Sequence, residues 1–375
     1  MRISIYFISH THHDMNSGSN INPNPFVEVT LAYALTYITT AAHLKPSYTF
    51  DPVQLTILAD NDYYSQPHTS TSSSSPARFA KFPTKLKDAH KTGLGSSAAL
   101  VTALTAALLT HYLPPSAFDL NSEQGRRTLH NLAQAAHCAA QGKVGSGFDV
   151  AAAVFGTCIY NRFSPAVLRD VPEIGAPGFA PALAACIDAS DQWDARVVKE
   201  GVRMPRGVAL RMCDVDCGSQ TVGMVKKVLR WRDDTDPAGA KSLWDQLQRR
   251  NAALGDILSA GDTAGIRDAV ASIRALVRDM GAASAVPIEP ESQTALLDAL
   301  ARDVPGVYEG VVPGAGGFDA LALLVRDDEA TEAQIKEFLA RWSEEKGAKV
   351  RLLDVKGEME GVRREGLAQY DGWLP

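Results

Sequence analysis

The sequence predicts an α+β chain of two domains. Three observations carry that prediction. The chain has 375 residues with 45% hydrophobic content, more than one ordinary core needs. Its first half holds long helical patterns with few strand-like runs. Beyond a break at Pro205-Arg206-Gly207, strand-like runs alternate with helical ones. The boundary is therefore expected near residue 205, giving domains over 1–205 and 206–375.

The elements follow in order. Pro25 to Thr40 is apolar at helical spacing, with proline where a first turn tolerates it. Leu55 to Ala59 reads as a short strand, and Thr69 to Pro76 (TSTSSSSP) as a solvated loop too polar to pack. Ser96 to Leu113 is an Ala/Leu-rich helix opened by two serines and stopped by Pro114-Pro115. Glu123 to Gln141 forms a second helix, followed by a glycine turn and the small apolar run Val150 to Phe155. After the break, Val208 to Met212 is strand-like. Helical patterns then cover Thr221 to Trp231, Ala240 to Leu258, Ala264 to Met280 and Ser292 to Arg302. Strands over Val307 to Val312, Ala320 to Val325 and Lys349 to Val355 flank a last helix, Thr331 to Lys346.

Composition narrows the function. The formal net charge is -6 and no basic run occurs, which disfavours nucleic acid as the main partner. A few cations inside a cleft still suffice for an anionic small molecule. No apolar stretch reaches membrane-spanning length, and residues 1–13 lack the apolar core and cleavage site of a signal peptide. Five cysteines, an odd number, read as small buried hydrophobes of a reducing, cytoplasmic setting. Cys213 and Cys217 lack the second pair a zinc site needs, and His10, His12 and His13 read as a solvated terminus.

Three glycine loops are the chemistry-bearing features. The first, Lys91-Thr92-Gly93-Leu94-Gly95-Ser96-Ser97-Ala98, opens the strongest helix. Helix starts present unpaired N–H groups and positive dipole, and glycines admit an anion closely, which suits phosphate. Gly93, Gly95 and Ala98 also fit the dinucleotide spacing G-x-G-x-x-A. That reading wants a buried strand ahead, where this chain has a lysine-rich stretch. A plain glycine turn with a serine cap is the bland alternative. The second loop, Gly142 to Asp149, ends in an acid beside an apolar run. A carboxylate there is costly without a role, and phosphoryl transfer uses one to position its acceptor; a structural cap is the alternative. The third, Pro313-Gly314-Ala315-Gly316-Gly317-Phe318-Asp319, lies between two strand-like runs and reads as a hairpin or as a loop backing onto a ligand.

Taken in this order, the loops resemble the GHMP kinase superfamily. Gly93 to Ala99 matches its G-L-G-S-S-A-A motif, and Gly314 to Asp319 its third, glycine-rich motif. Lys143 to Phe155 is similar to the catalytic-aspartate segment of the fungal phosphomevalonate kinase branch. Asn24 to Glu28, Gly218 to Thr221, Met224 to Val228, Ile288 to Pro290 and Gln293-Thr294 agree with it. The resemblance implies a ribosomal-protein-like first domain, a ferredoxin-like second one, and a soluble enzyme of isoprenoid synthesis. The implied reaction passes the ATP γ-phosphoryl group to 5-phosphomevalonate with Mg²⁺. It implies that Lys91, Gly93, Leu94, Gly95, Ser96, Ser97 and Ala98 hold ATP, with Ser97 on the metal. Asp149 and Lys143 would be catalytic, and Ser146, Gly147, Ser219, Gln293, Gly316, Gly317 and Asp319 would lie near the substrate.

Two departures accompany it. The family's first motif, an early strand with P-G-K, has no counterpart in residues 1–20, so missing first strands and uncovered sheet edges are expected. Where relatives carry a glutamate as a second metal ligand, this chain has His137, Cys138 and Gln141.

Overall fold

A computed structural model describes residues 3–9, 24–45, 48–51, 53–64, 79, 92–189, 191–200, 202, 204–216 and 223–370. Lys91, Ser219, Cys217, the histidines at 10, 12 and 13, and the Ser/Thr-rich loop lie outside these. The chain divides into two compact units, each assembled from separate stretches. One comprises Arg2–Asp60, Gly95–Val202 and Glu358–Pro375; the other comprises Asn61–Leu94 and Arg203–Gly357. The change after Val202 lies beside the boundary read from the sequence. Further changes follow Asp60, Leu94 and Gly357.

The first unit is mostly helical. Strand β1 (Ile3–Ser9) pairs antiparallel with β2 (Val53–Ala59), Ile3 opposite Ala59 and Ser9 opposite Val53. No element was expected over residues 3–9, and their strand covers one edge of β2. Helix α1 (Pro25–Ala41) starts where Asn24 Oδ1 accepts from Phe26 N and Val27 N, a side-chain cap with proline at the first turn. It packs on α2 (Ser96–Tyr112) and α3 (Glu123–Gln141). α3 is capped by Ser122, whose Oγ accepts from Gly125 N at 2.9 Å. The short α4 (Phe148–Phe155) lies against α2 and α3. A ribbon of β3 (Ile159–Asn161) and β4 (Arg196–Val198) and helix α5 (Phe179–Asp188) complete the unit. Ile38, Leu104, Leu109, Leu129, Leu132, Val150, Val154 and Leu183 are fully buried in its core.

The second unit is built on a four-stranded antiparallel sheet in the order β6-β7-β5-β8. Its strands are β5 (Val208–Asp216), β6 (Val307–Val311), β7 (Ala320–Arg326) and β8 (Lys349–Leu352). Helices α6 (Met224–Arg230), α7 (Pro237–Ala260), α8 (Ile266–Ser284) and α9 (Glu291–Asp303) connect β5 to β6. α10 (Glu329–Lys346) connects β7 to β8. Chain order β-α-β-β-α-β with the first and third strands central is the ferredoxin-like arrangement. Leu297, Leu300, Leu321, Leu323, Ile335 and Leu339 from α9, β7 and α10 make its core. α8 runs four residues past the expected Met280 because Gly281 continues the helix. A side chain at Gly281 would meet Val286 O at 2.8 Å.

No described helix is long and apolar enough to cross a membrane. Cys138, Cys186 and Cys213 are buried free thiols, Cys158 is half-buried, and burial pushes Cys213 up to about 12. They behave as the small hydrophobes the sequence suggested.

Candidate active site

In the first unit, the head of α2 and the head of α4 share one construction. The residue before each helix is a glycine in the left-handed region, Gly95 at φ 72° and Gly147 at φ 77°. Neither makes a side-chain cap, in contrast to Asn24 and Ser122 at α1 and α3. Ser96, which the bland reading made a cap, is instead the first helical residue. The leading N–H groups of α2 therefore lack a side-chain acceptor, and the positive end of its dipole is uncancelled by any acid in its first turn.

The two heads meet at Asp149. A methyl group built on Gly95 would lie 3.5 Å from Asp149 Cβ, so the acid stands beside the helix start with only glycine between. Asp149 is half-buried in the first turn of α4, and its Oδ1 accepts from Val150 N at 2.9 Å. Ser97, at the second position of α2, lies 3.2 Å from His137 Nε2, and Gln141 Nε2 lies 3.1 Å from that same ring nitrogen. An amide nitrogen can only donate, so His137 Nε2 accepts. Ser97 Oγ is thus within hydrogen-bond reach of a ring nitrogen that also faces Gln141.

Beneath the second loop lies a buried polar network. Gln134 Nε2 donates to Gly147 O at 2.6 Å and sits 3.2 Å from His130 Nε2; His130 Nδ1 faces Asn131 Oδ1 at 3.2 Å. Burial pushes His130 down to about 4, so it is neutral, carrying its proton on Nδ1. Tyr160 borders the same glycine, and burial pushes its phenol up to about 12. Lys143 and Ser146 are exposed on this loop, just after the left-handed Gly142 that ends α3.

The remaining predicted residues belong to the second unit. Gly93 (φ 72°) is exposed, and its Cα faces Ala320 Cβ, 3.8 Å from a built methyl. Thr92, its neighbour, is fully buried, donating from Oγ1 to Asp62 O at 2.6 Å. Gly316 and Gly317 are buried at positive φ; Gly317 N donates to Ile288 O at 2.8 Å. Gln293 is 2% exposed and spends its amide on Phe318 O at 2.9 Å. It therefore holds the third glycine loop. Asp319 O accepts from Val215 N at 2.9 Å, tying the loop end to β5.

The sequence missed the parts that hold the site rather than form it. Gln134, His130 and Tyr160 carry no motif. Two polar residues spaced i, i+4 in α3 were the only signal, and it is indistinguishable from an exposed helix face.

Comparisons with known proteins bear on the family and the fold. Residues 80–157 match the family described as GHMP kinases N terminal domain. A phosphomevalonate kinase of Gibberella zeae is 61% identical over 357 residues, 95% of this chain and 80% of that one. One from Aspergillus fumigatus is 47% identical over 94% of this chain and 75% of that one. A solved structure of Streptococcus pneumoniae phosphomevalonate kinase, in complex with phosphomevalonate and AMPPNP, has the same fold. It superposes with a TM-score of 0.60 at 17% identity, over 94% of this chain and 89% of that one. Fold and glycine loops are those of a GHMP-type small-molecule kinase, a phosphotransferase. Within that class, the chain belongs to the phosphomevalonate kinase family.

Proposed function

We propose that this chain transfers the γ-phosphoryl group of ATP to the phosphate of 5-phosphomevalonate, giving ADP and the diphosphate, with the reacting centre at the head of α2 and Asp149. Family membership supports the reaction. The observation that supports the site is the approach of Asp149 to Gly95, an acid set beside an uncapped helix start.

On this reading the N–H groups of Gly95 to Ala98 and the α2 dipole hold the nucleotide phosphates, as helix starts do for anions. Leu94, Gly93 and the basic Lys91 continue the same loop. An oxygen of the acceptor phosphate attacks the γ-phosphorus, and the bond to the β-phosphate oxygen breaks with ADP leaving. The acceptor oxygen is already ionised, so Asp149 needs to remove no proton and orients the acceptor only through cations or donors held between the two anions. Lys143, exposed and with no ion pair among the described residues, offsets charge gathering between two phosphates. Ser146 and Gly147 adjoin the acceptor on this reading, and Ser219, Gln293, Gly316, Gly317 and Asp319 keep the substrate role that the family resemblance implies.

Mg²⁺ fits the oxygen chemistry at Ser97. Hard cations of its size take few protein oxygens together with substrate phosphates and water, and Ser97 supplies a half-buried hydroxyl oxygen at the second position of α2. Bound there, the ion would neutralise phosphate charge. We place the enzyme in a soluble compartment, the cytoplasm, on the reduced cysteines.

A coupled assay for ADP with ATP, Mg²⁺ and phosphomevalonate tests the proposal. Asp149→Ala is expected to lower kcat by about 100-fold or more, the scale of removing one electrostatic group at a reacting centre. Wild-type turnover in that variant removes Asp149 from the mechanism. Phosphorylation of mevalonate in place of phosphomevalonate would overturn the substrate.

A further inference from the structure

Asp149 rides on α4, a helix of only eight residues. A helix this short has little stability of its own, and its last carbonyls have no partners within it, so its placement depends on what holds its ends. The N-terminal end is held by Gln134 through Gly147 O. At the other end, Ala152 O accepts from Gly156 N at 2.9 Å and Ala153 O from Val362 N at 2.9 Å. Phe155 O accepts from the Lys199 ammonium, which also donates to Met359 O at 2.7 Å.

Residues 358–362 thus lie across the end of α4. Thr157 N and Oγ1 both donate to Glu358 O at 2.9 Å. The fit leaves room for no side chain at two points. A methyl on Gly156 would come within 2.6 Å of Met359 O, and one on Gly361 within 2.1 Å of Val154 O. The β3–β4 register, Ile159 opposite Val198, brings Lys199 alongside this end. Its charge also complements the negative pole of the helix.

We propose that Lys199 and the tail segment 358–362 are positioning residues of the kinase reaction: they fix the C-terminal end of α4 and, through it, the Asp149 carboxylate. The proposal rests on the reading of Asp149 given above. Lys199 touches no reacting atom. It acts through two backbone carbonyls, so a retained cation should retain the effect.

Steady-state kinetics and thermal melting on the full chain test it, with ATP, Mg²⁺ and phosphomevalonate. Lys199→Met and Gly361→Ala are expected to lower kcat about tenfold or more, the cost of a small displacement of a reacting group. KM for ATP should stay within about twofold, because the nucleotide is held by α2 and not α4. Lys199→Arg should restore most of kcat. Gly366→Ala, whose added methyl meets nothing within 4 Å, should behave as wild type. Wild-type kcat in both Lys199→Met and Gly361→Ala overturns the proposal. So does loss of kcat that only follows loss of folded protein, or failure of both variants to fold, since either places the tail in folding alone. Asp149→Ala, measured in parallel, separates the two readings. Full turnover there sinks the role of Asp149, whereas an inactive Asp149→Ala beside fully active tail variants sinks the tail proposal only.

Discussion

Gly147 shows how closely the second loop is fitted. At φ 77° it has a conformation that side chains resist, and a methyl there would meet Gln134 Nε2 at 2.7 Å and both Gln134 Oε1 and the Tyr160 hydroxyl at 2.9 Å. Gly147→Ala should cost about 1–3 kcal/mol in urea unfolding, from backbone strain and overpacking together. It should lower kcat as well, because the displaced atoms are those that hold the loop before Asp149. His130 sets a pH dependence. In the unfolded chain its imidazole titrates near 6.5; in the folded chain burial holds it at about 4. Between those values the unfolded state binds the extra proton, so stability rises with pH across that window and is lost as pH falls through it. The full difference is about 3 kcal/mol. Urea midpoints measured from pH 7 down to pH 4 should fall more steeply for the native chain than for His130→Gln. Equal slopes would contradict the assignment.

Among elements, α8, α9 and β6 are joined by one buried cation. Arg274 is 2% exposed and pairs with Glu289 at 2.7 Å, Asp298 at 2.8 Å and Glu309 at 3.0 Å. Glu289 also accepts from Arg278 Nη1 and Thr294 Oγ1, each at 2.9 Å. The segment before α9 is thereby fixed, and Ile288 O in it receives Gly317 N of the third loop. Removing the guanidinium strips buried Glu309 of its cation and leaves buried Glu289 with Arg278 and Thr294 alone, and burial already pushes Glu309 up. Arg274→Met should destabilise the chain by about 3–5 kcal/mol. Thermal or urea unfolding reads that directly, and a change below about 1 kcal/mol would show the cluster to be solvated in solution.

For the molecule as a whole, chain path matters more than the boundary near residue 205. The backbone changes unit after Asp60, Leu94, Val202 and Gly357, so neither unit is a continuous stretch of sequence. The first glycine loop itself is divided, with Gly93 grouped with β7 and Gly95 grouped with α4. The tail past Gly357 leaves the ferredoxin-like unit and ends on the unit that carries Asp149. Cutting the chain at residue 205 would therefore separate residues 61–94 and 358–375 from the units they pack in. That is a consequence of threading which composition shifts along the sequence do not reveal.

By itself the sequence determined the long helices and the strands of the second half to within a few residues, but not β1, β3, β4 or α5. Helical spacing, the Pro114-Pro115 stop, and the Asn24-Pro25 start act locally, between residues one to four apart. It also determined the three glycine loops, since positive φ restricts those positions to glycine whatever surrounds them. Only the tertiary structure decided that Asp149 stands against Gly95, that His137 comes within 3.2 Å of the Ser97 hydroxyl, and that Lys199 and the tail close the end of α4. It also showed Gln293, read as a substrate contact, bonded to the third loop. These contacts join residues far apart in the chain, with partners chosen by packing of the core, and local preference carries no record of them.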